Sequence, residues 1–306
     1  MKCVVTGGAG YIGTCLVKKL LSCGHDVAVL DLRKPAADVE WLQADIRDED
    51  SLQLKGSDAV FHLAAVADAR RCAENPRFCY ETNVLGTLNV VRAAHRDGVG
   101  RILLASSAWV AAAQAGDAVE ERSLFDPASI NTTYGGSKLV QEIVCYSLRA
   151  EAGGPDCTIF RYGTSYGEGM WNGLVVRAFM ASAETKGVVT VMGDGTQYRE
   201  FLYLGDMCDA QALALGDVAC NKVYNLVGDR PVTVEELARE VVKHFPAKIE
   251  YVPQQRPEPP PKRILNDLAK RELGWAPRTS LADGIAKCAA WWRSLSPAEK
   301  QAPNWI

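Results

Sequence analysis

Glycines at positions 7, 10 and 13 sit directly after a short apolar strand and directly before an apolar helical stretch. No other feature constrains the chain as much. The segment reads Met1-Lys-Cys-Val-Val-Thr-Gly-Gly-Ala-Gly-Tyr-Ile-Gly13. A strand that turns through glycine into a helix aims backbone N–H groups and the positive end of the helix dipole at one point. Gly7 permits the tight turn, Gly10 the close approach of backbone to a ligand, and Gly13 the packing of helix near strand. Tyr11 and Ile12 complete the loop. The next apolar run, Asp26-Val-Ala-Val-Leu-Asp31, ends on an acid placed to accept from a ribose 2′-hydroxyl. The pattern predicts a dinucleotide site. Asp31 favours NAD, because its carboxylate would repel a 2′-phosphate; Arg33 and Lys34, close by, keep NADP as the alternative.

Short apolar runs recur at 3–5, 27–30, 59–63, 101–105 and 157–161, with helix-like segments Thr14–Ser22, Asn83–His95 and Tyr134–Ala150 between them. Strands alternating with helices predict an α/β fold with a doubly wound parallel sheet, its ligand lying across the carboxyl ends of the strands. After about residue 166 the rhythm changes. Gly193-Asp-Gly195 reads as a turn between two strands, and a helix is expected after Thr233, with Glu235 and Glu236 in its first turn. Arg256-Pro-Glu-Pro-Pro-Pro261 can be neither helix nor central strand and reads as a connector or substrate-side loop. The expected division is residues 1–166, with about 200–226, as a dinucleotide-binding domain. Residues 167–199 and 227–306 would form a smaller substrate-binding domain.

A net charge of −3 over 306 residues argues against non-specific binding to nucleic acid. None of the ten cysteines forms a Cys-x-x-Cys pair, so no metal site and no dithiol motif is expected. With no room for a leader before the first strand and no apolar stretch long enough to span a bilayer, the expectation is a cytoplasmic protein without membrane contact.

Tyr134-Gly-Gly-Ser-Lys138 places a phenol and an ammonium on one face of a helix. A cation beside the phenol would lower its pKa, so that it could take a proton from an alcohol as hydride leaves the carbon. Ser106-Ser107 ends the run Arg101–Ala105, at the strand end where catalytic groups collect, and a serine there could orient the substrate oxygen. Asp45-Ile46 follows a short strand and fits either an adenine contact or a loop cap. His62 reads as a packed histidine, and Leu63-Ala64-Ala65 as small residues that leave room for a cofactor. Arg199 and Arg256 are candidates for a diphosphate, which suits planar guanidinium groups.

With these residues in hand, the chain resembles the extended short-chain dehydrogenases/reductases, of the NAD-dependent nucleotide-sugar epimerase/dehydratase type. The resemblance runs from Gly7–Gly13 through Asn83-Val-Leu-Gly-Thr87, Ser106-Ser107, Tyr134/Lys138, Arg161–Gly167 and Gly193–Arg199 to Leu273-Gly-Trp275. It implies a Rossmann domain, NAD as cofactor, and Ser107, Tyr134 and Lys138 as the catalytic set. It implies that Asn83, the 62–65 segment and Tyr162 border the cofactor, that Thr164, Arg199 and Arg256 hold a nucleotide sugar, and that the chain forms a homodimer through helices 83–95 and 134–150.

The 4,6-dehydratases of this family carry Asp-Glu after the catalytic hydroxyl, and the sugar-acid decarboxylases a glutamate at the second of those places. Here the two positions are Ala108 and Trp109. The 4-epimerases, which need no acid there, remain by subtraction. Ala111-Ala112, Thr164 and Pro259 also depart from the usual Tyr-Gly, asparagine and aspartate, and leave the sugar and nucleotide open. A 4-epimerase is the expected activity. A net dehydrogenase or reductase, a dehydratase or decarboxylase, and a non-catalytic NAD sensor are the alternatives.

Overall fold

The computed structural model describes residues 1–254 and 262–301. Seven strands form one sheet: β1 (Lys2–Thr6), β2 (Asp26–Asp31), β3 (Glu40–Gln43), β4 (Ala59–His62), β5 (Arg101–Ser107), β6 (Asp156–Tyr162) and β7 (Val223–Leu226). Their spatial order is β7-β6-β5-β4-β1-β2-β3, and every neighbouring pair is parallel. Strands covered on both faces need near-continuous apolar sequence. Val4, Val5, Val60, Phe61, Leu103 and Leu104 meet that demand and are buried.

Two apolar clusters flank the sheet. One holds Leu16, Phe61, Leu103 and Phe160; the other holds Leu30, Val60, Val90 and Ile159. A third cluster, with Phe179, Met180, Leu237 and Trp292, gathers residues that follow β6 in the chain. β7 and the helix Leu204–Leu213 come from late sequence, and β7 completes the sheet edge beside β6. The winding direction reverses between β1 and β4, and the carboxyl ends of those strands open the crevice where α/β sheets bind ligands. Among the described residues, no helix is long and apolar enough to cross a membrane.

Several sequence expectations meet a different local structure. The segment expected as one helix over 83–95 starts as a π-turn, Glu81–Leu85, and continues as an α-helix, Gly86–Arg96. Gly86 allows this close packing, since an added Cβ there would lie 2.6 Å from the Ile46 side chain. Gly193 and Gly195 have φ of 74° and 80°, as a glycine turn requires. The strands on either side do not pair with each other: Val188–Met192 runs parallel to Lys248–Val252, and Tyr198–Arg199 antiparallel to Val232–Thr233. The turn instead delivers the chain to the helix Val234–Val242, whose Glu235 N–H donates to the Gly195 carbonyl. Thr233 caps that helix through the Glu236 N–H at 3.0 Å, as its sequence suggests. The 256–261 connector lies outside the described residues.

Candidate active site

The carboxyl ends of β1, β2, β4, β5 and β6 open into a cleft of about 1860 Å³. Its floor is the glycine loop. Gly7 has φ of 70°, and a Cβ on it would lie 2.7 Å from the Ala64 nitrogen. A Cβ on Gly13 would stand 2.2 Å from the Gly7 carbonyl oxygen. Only glycine lets the loop, the helix and the 63–65 segment come this close. Gly10 starts the helix Tyr11–Ser22 with no side-chain cap, and no acid stands in the first turn. The N–H groups there, with the dipole behind them, suit an anion. Asp31 ends β2 with its carboxylate against the loop, accepting from Ala9 N–H at 3.0 Å and Arg33 N–H at 3.0 Å. A cradle that any Cβ would fill, an uncapped helix start and a carboxylate at the next strand end fit the pyrophosphate and ribose of NAD.

The rest of the cofactor wall is uneven. Tyr11, Ile12, Ile46, Leu63, Ala64, Ala65 and Tyr162 line the cleft. The Tyr162 hydroxyl donates to Gln211 Oε1 at 2.7 Å, which fixes its ring. Asp45 also lines the cleft, but its carboxylate binds the Arg47 guanidinium at 2.5 Å and the Arg47 N–H at 2.9 Å, as a loop cap does. Asn83 lies behind the wall. Its side-chain oxygen accepts from Val66 N–H at 2.7 Å, and its amide donates to the Val66 carbonyl at 3.1 Å and Ser137 Oγ at 2.9 Å. Asn83 therefore borders the cleft through Val66, which does line it.

His62 is held in a chain of hydroxyls. Thr6 Oγ1 is 2.8 Å from Nδ1, and Thr87 Oγ1 is 2.9 Å from Nε2. Thr87 gives its only proton to the Asn83 carbonyl, so it accepts from the imidazole, and the proton sits on Nε2. Burial, with the Lys138 charge beside it, pushes the His62 pKa down to about 3. A neutral, fully bonded imidazole is a structural part of the wall.

Ser107, Tyr134 and Lys138 meet on one side of the cleft. Ser107 is the last residue of β5, and its Oγ accepts from the Trp109 N–H at 3.3 Å. The helix Thr133–Ala152 begins beside it, capped by Thr132 Oγ1 on the Gly135 N–H at 3.1 Å. That start projects Tyr134 and, one turn on, Lys138 into the cleft. Burial raises the Tyr134 pKa to about 12, and a hydrogen bond with the Ser107 hydroxyl opposes the rise. The lowering of the phenol's pKa is expected from Lys138 together with a cationic nicotinamide; Lys138 alone does not offset the burial. Its ammonium turns to the Ala105 carbonyl at 2.8 Å, and its own pKa falls to about 8 through burial. The phenol thus rests protonated at neutral pH.

Thr164 and Arg199 line the far side of the cleft, and Arg199 donates to the Tyr198 carbonyl at 2.8 Å. Arg256 lies outside the described residues. Sequence reasoning missed two features. Glu200 lines the cleft while buried, and desolvation lifts its carboxyl to about 7; its partner is the Ile264 N–H at 3.4 Å. An acid beside a strand-forming Arg-Glu-Phe run reads as surface charge, so nothing local announces its burial. The second is a buried ion pair behind β5, in which Arg161 Nη2 meets Glu142 Oε2 at 2.8 Å and Ser106 Oγ meets Glu142 Oε1 at 2.6 Å.

The sequence model of the NAD dependent epimerase/dehydratase family matches residues 3–227. UDP-glucuronic acid decarboxylase 1 of Arabidopsis thaliana is 31% identical over 96% of this chain and 70% of its own length. The crystal structure of UDP-glucose 4-epimerase from Thermotoga maritima with UDP-glucose superposes with a TM-score of 0.84, at 27% identity, covering 96% of this chain and 99% of that one. DesIV, a dTDP-glucose 4,6-dehydratase from Streptomyces venezuelae crystallised with NAD, gives 0.86 at 28% identity, covering 96% and 97%. Three different chemistries stand at similar distance from this chain.

Proposed function

This chain belongs to the NAD-dependent epimerase/dehydratase family, and within it we propose a nucleotide-sugar 4-epimerase. One observation carries the choice: the cleft wall that brings Ser107, Tyr134 and Lys138 together continues into Ala108 and Trp109, neither of which is the acid that elimination or decarboxylation uses at these two places. Gly7, Gly10, Gly13, Asp31 and Lys138 would hold the dinucleotide. When bound there, NAD would supply reversible hydride exchange with the sugar. As the phenolate, Tyr134 would take the proton of the sugar 4-hydroxyl and later give it back, while Ser107 holds that oxygen. Arg199, with Arg256, keeps the diphosphate in place as the 4-keto sugar turns its other face. Hydride and proton both return, so C4 is inverted and nothing is oxidised overall. In this reading residues 167–199 and 227–306 supply the nucleotide-sugar side of the cleft, and Thr164 faces the sugar.

The test is a panel of UDP-, dTDP- and GDP-sugars followed by mass spectrometry and NMR at C4. The expected product has unchanged mass and inverted C4, with no stoichiometric reduced nicotinamide in solution. Loss of water or of CO2 overturns the reading in favour of a dehydratase or decarboxylase. Accumulated NADH identifies a net dehydrogenase. Tight NAD binding without any chemistry identifies a sensor.

The same reading includes a homodimer. Leu85 in the π-turn and Ile143 and Tyr146 on the helix Thr133–Ala152 are exposed, as is Tyr80 just before the π-turn. Large apolar side chains grouped on neighbouring helices are what a self-complementary interface buries. Sedimentation should give a dimer for the wild type and a monomer for Ile143→Glu/Tyr146→Glu; a monomeric wild type removes the proposal.

A further inference from the structure

The geometry points to Trp109 as the residue that selects an uncharged sugar, by laying its indole against the pyranose next to the reacting hydroxyl. The inference rests on the nucleotide-sugar reading above but not on the choice of epimerase within it. Trp109 follows the Ser107 strand end by two residues, and its ring stands edge-to-face with Tyr134, centroids 6.1 Å apart at 84°. One edge is thus fixed by a buried partner. The rest is uncovered: Trp109 is 49% exposed, and it lines the cleft. A large aromatic surface held open to water inside a binding cleft gains by being covered.

What can cover it follows from the neighbouring chemistry. The segments 105–111 and 129–134 form the wall around Tyr134, and they contribute Ser107, Trp109, Ser129, Asn131 and Thr132. An apolar ring flanked by hydroxyls and an amide suits a pyranose, whose C–H faces are apolar and whose rim is a ring of hydroxyls. It does not suit a carboxylate, which must find a cation or keep its water. Of the cations that line the cleft, Lys138 and Lys262 donate to the carbonyls of Ala105 and Gln114, while Arg33, Arg47, Arg71, Lys186 and Arg199 line it on other segments. Asp117 and Glu200, which also line it, are acids. A sugar with a C5 carboxylate laid on the indole would bring its charge against an apolar face, which a neutral pyranose does not.

The experiment uses the NAD-loaded Tyr134→Phe enzyme, in which turnover is slowed by about three to four orders of magnitude, and calorimetric binding of UDP-glucose, UDP-glucuronate and UDP, with the dTDP- and GDP-linked counterparts. The parent should prefer the neutral sugar to the uronate, and to the bare nucleotide, by about ten-fold or more. Adding Trp109→Ala should bring both ratios to within about three-fold, while NAD affinity stays unchanged. Trp109→Phe, which keeps an aromatic face, should restore most of the preference. Preference for a neutral sugar that survives Trp109→Ala, or preference for the uronate in the parent, overturns the inference alone. Absence of binding by every nucleotide sugar overturns the nucleotide-sugar reading and the inference with it.

Discussion

Tyr134→Phe should lower turnover by about three to four orders of magnitude while NAD remains bound, because the variant removes the proton acceptor and little else. The ring sits in a buried pocket with Cys72, Cys79 and Val66, and phenylalanine keeps that packing. What is lost is a hydroxyl that the Ser107 side chain bonds. In the free protein burial holds that phenol near 12, so the phenolate is scarce at neutral pH and grows as pH rises. Wild-type kcat/KM should accordingly climb with pH through the neutral range, and the climb should be absent in Tyr134→Phe. Turnover by Tyr134→Phe within ten-fold of wild type would remove Tyr134 from the mechanism.

The parts of this site that were legible in the sequence are those whose reason is local. Gly7, Gly10 and Gly13 are required by contacts among residues 7 to 64 near one strand end, and the strand–glycine–helix order displays that requirement directly. Apolar runs marked the sheet because a parallel strand is covered on both faces. Ser107 and Tyr134 could be paired only because a strand end and a helix start are both visible as patterns. Where the determining contact joins distant segments, the pattern was silent or misleading. Asn83 looked like a cofactor contact, yet its amide is committed to Val66 and Ser137. Gly193 and Gly195 looked like a turn between partners, whereas the helix Val234–Val242 decides where the chain goes next. Lys138 stood one turn from Tyr134, and spacing cannot say that its ammonium will find the Ala105 carbonyl. Glu200 was invisible for the same reason: burial belongs to the whole fold.

Glu142→Ala should be the most destabilising single change in the catalytic wall, at about 3–5 kcal/mol, because it strands a buried guanidinium. Both side chains of the Glu142–Arg161 pair are almost fully enclosed, at 2% and 3% exposure. Arg161 approaches Glu142 through Nε at 3.0 Å and Nη2 at 2.8 Å, a two-pronged geometry that carboxylate and guanidinium share. With the carboxylate gone, the guanidinium keeps the Glu121 carbonyl at 3.1 Å and the Phe125 ring at 5.1 Å, too little to hold a charge away from water. Ser106 loses its acceptor in the same step, and Ser106 precedes the serine that bonds Tyr134. The melting temperature should fall by on the order of 10 °C. Replacing both members, Glu142→Met with Arg161→Met, should recover much of that loss, since a buried ion pair owes its apparent strength to the charge left behind when one partner goes. A double variant as unstable as Glu142→Ala would instead mean that the pair is held for its shape, as the brace that keeps the end of β5 and the Tyr134 helix at their working distance. Turnover separates the two accounts. If the brace matters, kcat falls in the refolded double variant with KM little changed; if only the charge matters, kcat returns together with stability.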